Sequence, residues 1–277
     1  MENLHFSDYS LINIGLSGFL MIIIPAILLV IFKIKTKSPI APVIAGAVTF
    51  FLSAIVLKIP FAFFLFQFES PVSKTIISSP ILSYLIAGLL AGILEETGRF
   101  FAFKTALKKY DKKITSLSYG IGHGGFESIY IGISILSIFP IAFMINSGNT
   151  SQLTEGLSDE NLAVAVQQIS QYSSMTIFTV LLSVSERIFS IALHISLSVL
   201  VFKAARNKRS FWLYPLAVLI HAVIDFSLVV SVFGMPAWCL EIIFAVISFT
   251  LLIISIFFIY KRTENEDNSS DPSEIND

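Results

Sequence analysis

Seven stretches of this chain are each long enough and apolar enough to cross a bilayer, and that pattern limits the fold more than any other feature. About 30 Å of hydrocarbon takes roughly 20 helical residues at 1.5 Å per residue. The stretches lie near residues 11–32, 39–57, 76–103, 116–144, 174–202, 211–233 and 236–260. Of the 277 residues, 55% are hydrophobic and 13% charged. That charged fraction is about half the level of a soluble domain. The expected architecture is all-α: a polytopic transmembrane helical bundle of about seven spans filling residues 1–262, placed in the cell membrane as a multi-pass protein. The segment 263–277, acidic and without apolar periodicity, is expected to be a disordered tail. The aromatic run FAFFLFQF at 61–68 is too short to cross and is expected at the interface.

Several classes drop out at this stage. A net charge of −1 and the lack of a basic stripe argue against a nucleic-acid partner. Cys239 is the single cysteine, which excludes an intrachain disulfide and thiolate zinc motifs. The first ten residues, MENLHFSDYS, carry no Lys or Arg, which argues against a cleaved signal peptide. No internal repeat is visible.

Orientation follows from the basic residues. Lys33, Lys35 and Lys37 follow the first span; Lys104, Lys108, Lys109, Lys112 and Lys113 follow the third. Lys203, Arg206, Lys208 and Arg209 follow the fifth, and Lys261 and Arg262 the seventh. Lys58 and Lys74 alone fall on the other side, and Arg99 and Arg187 lie within spans. Positive charge concentrates in cytoplasmic loops, so the N-terminus is expected outside, the C-terminus inside and the long loop 145–173 external.

Charged and imidazole groups inside the spans are the informative exceptions, because each costs about 2.5–3.5 kcal/mol to insert. They are Glu95, Glu96 and Arg99 in the third span, His123 and Glu127 in the fourth, Glu186, Arg187 and His194 in the fifth, and His221 and Asp225 in the sixth. Counted from the cytoplasmic ends, Glu95, His123, His194 and His221 all lie roughly 10–15 Å deep. Glu127, Glu186 and Asp225 form a layer one or two turns further in. At 100° per residue, Glu95 and Arg99 share a face with Gly88 and Gly92, whereas Glu96 is turned away. The expectation is therefore that Arg99 holds Glu95. An adjacent pair such as Glu186 and Arg187 cannot share a face.

Singly, each of these residues could be a hydrogen-bonded core group. Agreement in type and depth across four helices points instead to metal-assisted hydrolysis. Imidazoles from His123, His194 and His221, with Glu127, can hold a divalent ion, most simply Zn2+, leaving one position for water. Glu95 then takes the water's proton, Glu96 and Arg99 supply hydrogen bonds and counter-charge, and Asp225 orients His221 one turn away.

The combination of Glu95-Glu96 with Arg99, GHGGFE (His123, Glu127) and HAVID (His221, Asp225) resembles the motifs of the YhfC-type intramembrane metalloproteases. It is similar as well to the PrsW proteases and, more distantly, to the CAAX prenyl and bacteriocin-processing proteases. The likeness covers residues 76–233. It implies a multi-helix membrane fold in which Glu95, with Glu96, and His123 activate water, and a membrane-embedded peptide or protein as substrate. The CAAX pattern has three residues between the glutamate pair and the arginine, where this chain has Thr97 and Gly98 only. Two other classes stay open: a non-catalytic scaffold or immunity protein keeping these residues as a polar core, and an ion- or proton-coupled transporter.

Overall fold

A computed structural model describes residues 4–156 and 158–260. The expectation for the tail, 263–277, lies outside the described residues. The helices are α1 (Asp8–Thr36), α2 (Ala41–Phe50), a π-helical stretch (Phe51–Leu57), α3 (Lys58–Phe66), α4 (Pro71–Ile77) and α5 (Pro80–Lys104). There follow α6 (Ile114–Leu136), α7 (Ile138–Asn146), α8 (Ser151–Thr154), α9 (Asp159–Ser173), α10 (Ile177–Arg206), α11 (Leu213–Ser227) and α12 (Ala237–Ile254).

Among the described residues, seven helical segments are long and apolar enough to cross a membrane: Asp8–Thr36, Ala41–Phe66, Pro80–Lys104, Ile114–Asn146, Ile177–Arg206, Lys208–Phe233 and Ala237–Phe257. The protein is thus an all-α, multi-pass membrane protein. Two details differ from the sequence expectation. The second span does not stop at 57: α2, the π-helical stretch and α3 run on without a turn to Phe66. Pro60 lies inside this continuous run, three residues after the π-helical stretch ends, and contributes no N–H to it. Lys58, expected outside the spans, and residues 61–66 of the aromatic run, expected at the interface, are therefore part of the second span. The segment 145–173 is not a plain loop either, since Asp159–Ser173 forms α9, with the Ser158 hydroxyl capping its first turn.

The chain packs as two compact units. One gathers residues up to Leu28 with Glu127–Arg187. Its core contains Phe6, Ile14, Met21, Ile135, Ala142, Met175 and Val180. Bilayer lipid offers little hydrophobic drive between helices, so hydrogen bonds and close backbone contact hold such units. Asn13 Nδ2 donates to the Met175 carbonyl at 2.9 Å, and the Ser128 hydroxyl to the Met21 carbonyl at 2.7 Å.

The second unit gathers Leu29–Phe126 and the residues from Ile188 on. Phe103, Tyr119, Leu193, Leu197, Val201 and Phe202 form its apolar centre. The Arg206 guanidinium ties the end of α10 to the end of α5, donating to the carbonyls of Phe103, Leu107 and Tyr110 at 2.9, 2.7 and 3.2 Å. Phe103 lies in the last turn of α5, where carbonyls lack helical donors, and Leu107 and Tyr110 follow it.

Candidate metal centre

Close helix approach builds the site. A Cβ on Gly92 would lie 2.7 Å from the Val218 carbonyl oxygen and 3.0 Å from the Ala222 nitrogen, so only glycine lets α5 and α11 meet backbone to backbone there. On α6, a Cβ on Gly122 would fall 2.1 Å from the Val43 carbonyl oxygen, and one on Gly46 of α2 would fall 2.2 Å from that of Tyr119. The glycines of GIGHGG are thus packing surfaces, and His123 between them is fully buried.

Glu95, Glu96, Arg99, His123, His194 and His221 are each 4% exposed or less and lie in the same unit. Glu95 uses its two oxygens differently. Oε1 takes the Lys58 ammonium at 3.0 Å, while Oε2 is 3.2 Å from His123 Nε2 and 3.9 Å from His221 Nε2. Glu96 meets His221 Nδ1 through Oε1 at 2.8 Å and Arg99 Nη1 through Oε2 at 2.9 Å. Arg99 Nη2 in turn lies 2.9 Å from His194 Nδ1. A guanidinium can only donate, so His194 Nδ1 accepts. The His123 and His194 rings are 4.5 Å apart between centroids, and those of His194 and His221 are 5.5 Å apart. Asp225, whose side chain is 39% exposed, brings Oδ2 to 3.9 Å from His221 Nε2.

Glu95, His123 and His194 form a buried cluster, each with one ligand atom within 4.8 Å of the others'. Such a set can hold a divalent ion. Two ligands on a tetrahedral ion with bonds of about 2.0–2.1 Å lie about 3.3 Å apart, close to the 3.2 Å between His123 Nε2 and Glu95 Oε2. His123 Nδ1 is buried and has no hydrogen-bond partner among the described residues, so protein groups do not saturate this imidazole.

Three placements differ from the sequence expectation. Arg99 is ion-paired with Glu96, not Glu95. Glu127, expected as a metal ligand, is 3.0 Å from Arg187 Nη1 in the first unit. Adjacent Glu186 and Arg187 do meet, because long side chains on consecutive residues can fold toward one another. Lys58, counted from the sequence among the basic residues outside the spans, belongs to this centre; it lies between two apolar runs, 41–57 and 59–66, that one continuous 26-residue span joins.

A cavity of about 490 Å³ opens between α2, the π-helical stretch and α5, with Val48, Leu52, Leu57, Leu94 and Ala102 in its wall. The Thr49 and Ser53 hydroxyls on the wall donate to the Ala45 and Thr49 carbonyls, each at 2.7 Å, and leave the lining apolar.

Fold and site together define a polytopic membrane protein with a buried histidine–carboxylate centre. The chain belongs to the YhfC intramembrane metalloprotease family, whose sequence profile matches residues 20–247. It is 31% identical over 258 residues to the uncharacterized membrane protein YhfC of Bacillus subtilis (strain 168), covering 92% of this chain and 97% of that one. No solved structure is matched.

Proposed function

We propose that the protein is an intramembrane metallopeptidase that hydrolyses a peptide bond of a membrane-embedded protein or peptide. The observation that carries the proposal is the convergence of Glu95, His123 and His194 within 4.8 Å in a chain of seven apolar spans. Burying a carboxylate and imidazoles in a membrane domain is costly, and a shared ion accounts for their meeting at one place. His123 and His221 would hold the ion: Glu96 accepts from His221 Nδ1, which leaves the Nε2 lone pair facing the same Glu95 oxygen, while His194, whose Nδ1 accepts from Arg99, would join only by giving up that contact. A carboxylate behind an imidazole sets its tautomer and ring orientation.

A divalent ion, Zn2+ by donor type, would lower the pKa of a water to near 7. Glu95 is the proton acceptor: Oε2 borders both His123 and His221, and Oε1 is the oxygen left to take the proton. Arg99 and Glu96 are the fixed counter-charges that keep His194 and His221 in place. Asp225, the most exposed of the group, lies at the edge of the site and is suited to contact the substrate or relay a proton. The apolar cavity beside α5 suits a hydrocarbon-rich portion of the substrate arriving from the bilayer. The bias of basic residues supports a site near the cytoplasmic leaflet, with the C-terminus on that side.

The competing reading is a non-catalytic polar core, and one observation favours it: the Lys58–Glu95 and Arg99–Glu96 pairs balance without an ion. Metal analysis of the purified protein separates the two. The peptidase reading requires about one divalent ion per chain that is lost in His123→Ala; a polar core requires none.

A further inference from the structure

Lys58 is the one cation of this centre that the sequence order places outside the motifs. It reaches Glu95 from the second span, inside a 26-residue apolar segment. Its position depends on the π-helical stretch before it: the Lys58 N–H bonds the Ser53 carbonyl, an i→i+5 contact. In a regular helix Lys58 would be rotated about 80° from Phe50, whose ring abuts His123 edge-on. The wider π turn lags that rotation and brings Lys58 back toward the face that carries Phe50. Single π turns of this kind concentrate at functional sites.

The two cations of the centre are held very differently. Arg99 is fully buried and engaged by Glu96 and His194. The Lys58 side chain is 33% exposed, on a flexible four-carbon stem. With neutral imidazoles, Glu95 and Glu96 are matched by Lys58 and Arg99, and Asp225 at the edge leaves one negative charge over. A divalent ion held at His123 would add two positive charges beside Glu95, and Lys58, partly exposed, is the cation with a path away from the site.

We propose that Lys58 is a tethered counter-cation that occupies the Glu95 carboxylate until a divalent ion binds, and is displaced when it does. This rests on the metallopeptidase reading above. Lys58 is then a positioning residue: while paired it holds Oε1 and turns Oε2 toward His123 and His221, and its departure releases the carboxylate to accept a proton. The charge balance also sets a threshold, because an ion must outcompete an ammonium already in place.

The test is Zn2+ binding to the full-length protein in detergent, read by competition with a chromophoric chelator. Lys58→Met should bind Zn2+ at least about tenfold more tightly than the parent, Lys58→Arg about as weakly as the parent, and His123→Ala not at all in either background. A second measurement uses the parent chain: labelling by a small amine-reactive reagent, read by mass spectrometry, should rise several-fold at Lys58 on adding Zn2+ and stay constant at Lys74. Equal or weaker Zn2+ binding in Lys58→Met, or Lys58 labelling indifferent to Zn2+, overturns the proposal while leaving the metal centre intact. A parent protein that takes up no divalent ion overturns both.

Discussion

Glu96 of α5 and His221 of α11 meet at 2.8 Å in the interior of a membrane domain, and the same carboxylate carries Arg99 on its other oxygen. One acidic group thus fixes an imidazole and a guanidinium delivered by two helices. Glu95, next in sequence, is linked to two others, the second span through Lys58 and α6 through His123. Adjacent glutamates on one helix serve opposite sides of the centre.

That division predicts unequal losses. Glu95→Gln keeps the shape of the side chain and removes the proton acceptor. Cleavage of a model transmembrane substrate in liposomes should fall by about 10²–10⁴-fold, with the protein still folded by size-exclusion chromatography. Full activity in that variant would falsify the assignment of Glu95 as base.

Arg99→Ala removes the counter-charge of a buried carboxylate and should cost about 3–5 kcal/mol of stability. The check is the midpoint of denaturant or thermal unfolding in detergent. Restoring neutrality with Arg99→Met and Glu96→Gln together should recover part of the loss; a double variant no better than Arg99→Ala would mean that the ion pair is not the source.

Gly92→Val puts a side chain where the Val218 carbonyl and Ala222 nitrogen already stand. Spreading α5 from α11 should cost about 1–3 kcal/mol or more and separate Glu96 from His221. Lower thermal stability together with weaker Zn2+ uptake is expected, and unchanged uptake would show that the α5–α11 contact does not shape the site.

The Glu127–Arg187–Glu186 group predicts the opposite pattern. Arg187→Met leaves two carboxylates without their cation and should destabilise by about 3 kcal/mol. Glu127→Gln should cost less, about 1–2 kcal/mol, as one hydrogen bond is weakened. Neither change should alter Zn2+ stoichiometry, and loss of the ion in Glu127→Gln would return this residue to the ligand set.

Orientation is tested by reporter fusions. A reporter inserted within 146–172 should read external and one placed after Tyr260 cytoplasmic. Both on one side would overturn the orientation drawn from the basic residues.

Much of this protein is decided by composition and period alone. Lipid cannot hydrogen-bond a backbone, so a run of about 20 apolar residues in a membrane protein must be helical, and the number of spans follows. The cost of burying charge singles out Glu95, Glu96, Arg99, His123, His194 and His221, because a span keeps such groups only where something inside pairs with them. What the sequence leaves open is which group pairs with which. Arg99 is within reach of Glu95 at four residues and of Glu96 at three, and both are neighbours on a helix. The glycine row from Gly88 to Gly92 advances about 40° per four residues, so its continuation along the α11 contact arrives at Glu96. Lys58 and His123 take Glu95 from the other flank. Those choices depend on the approach of α5 to α11 and on a π turn in the second span. Both are set by contacts between helices far apart in the chain, and a period of 100° per residue carries no trace of either.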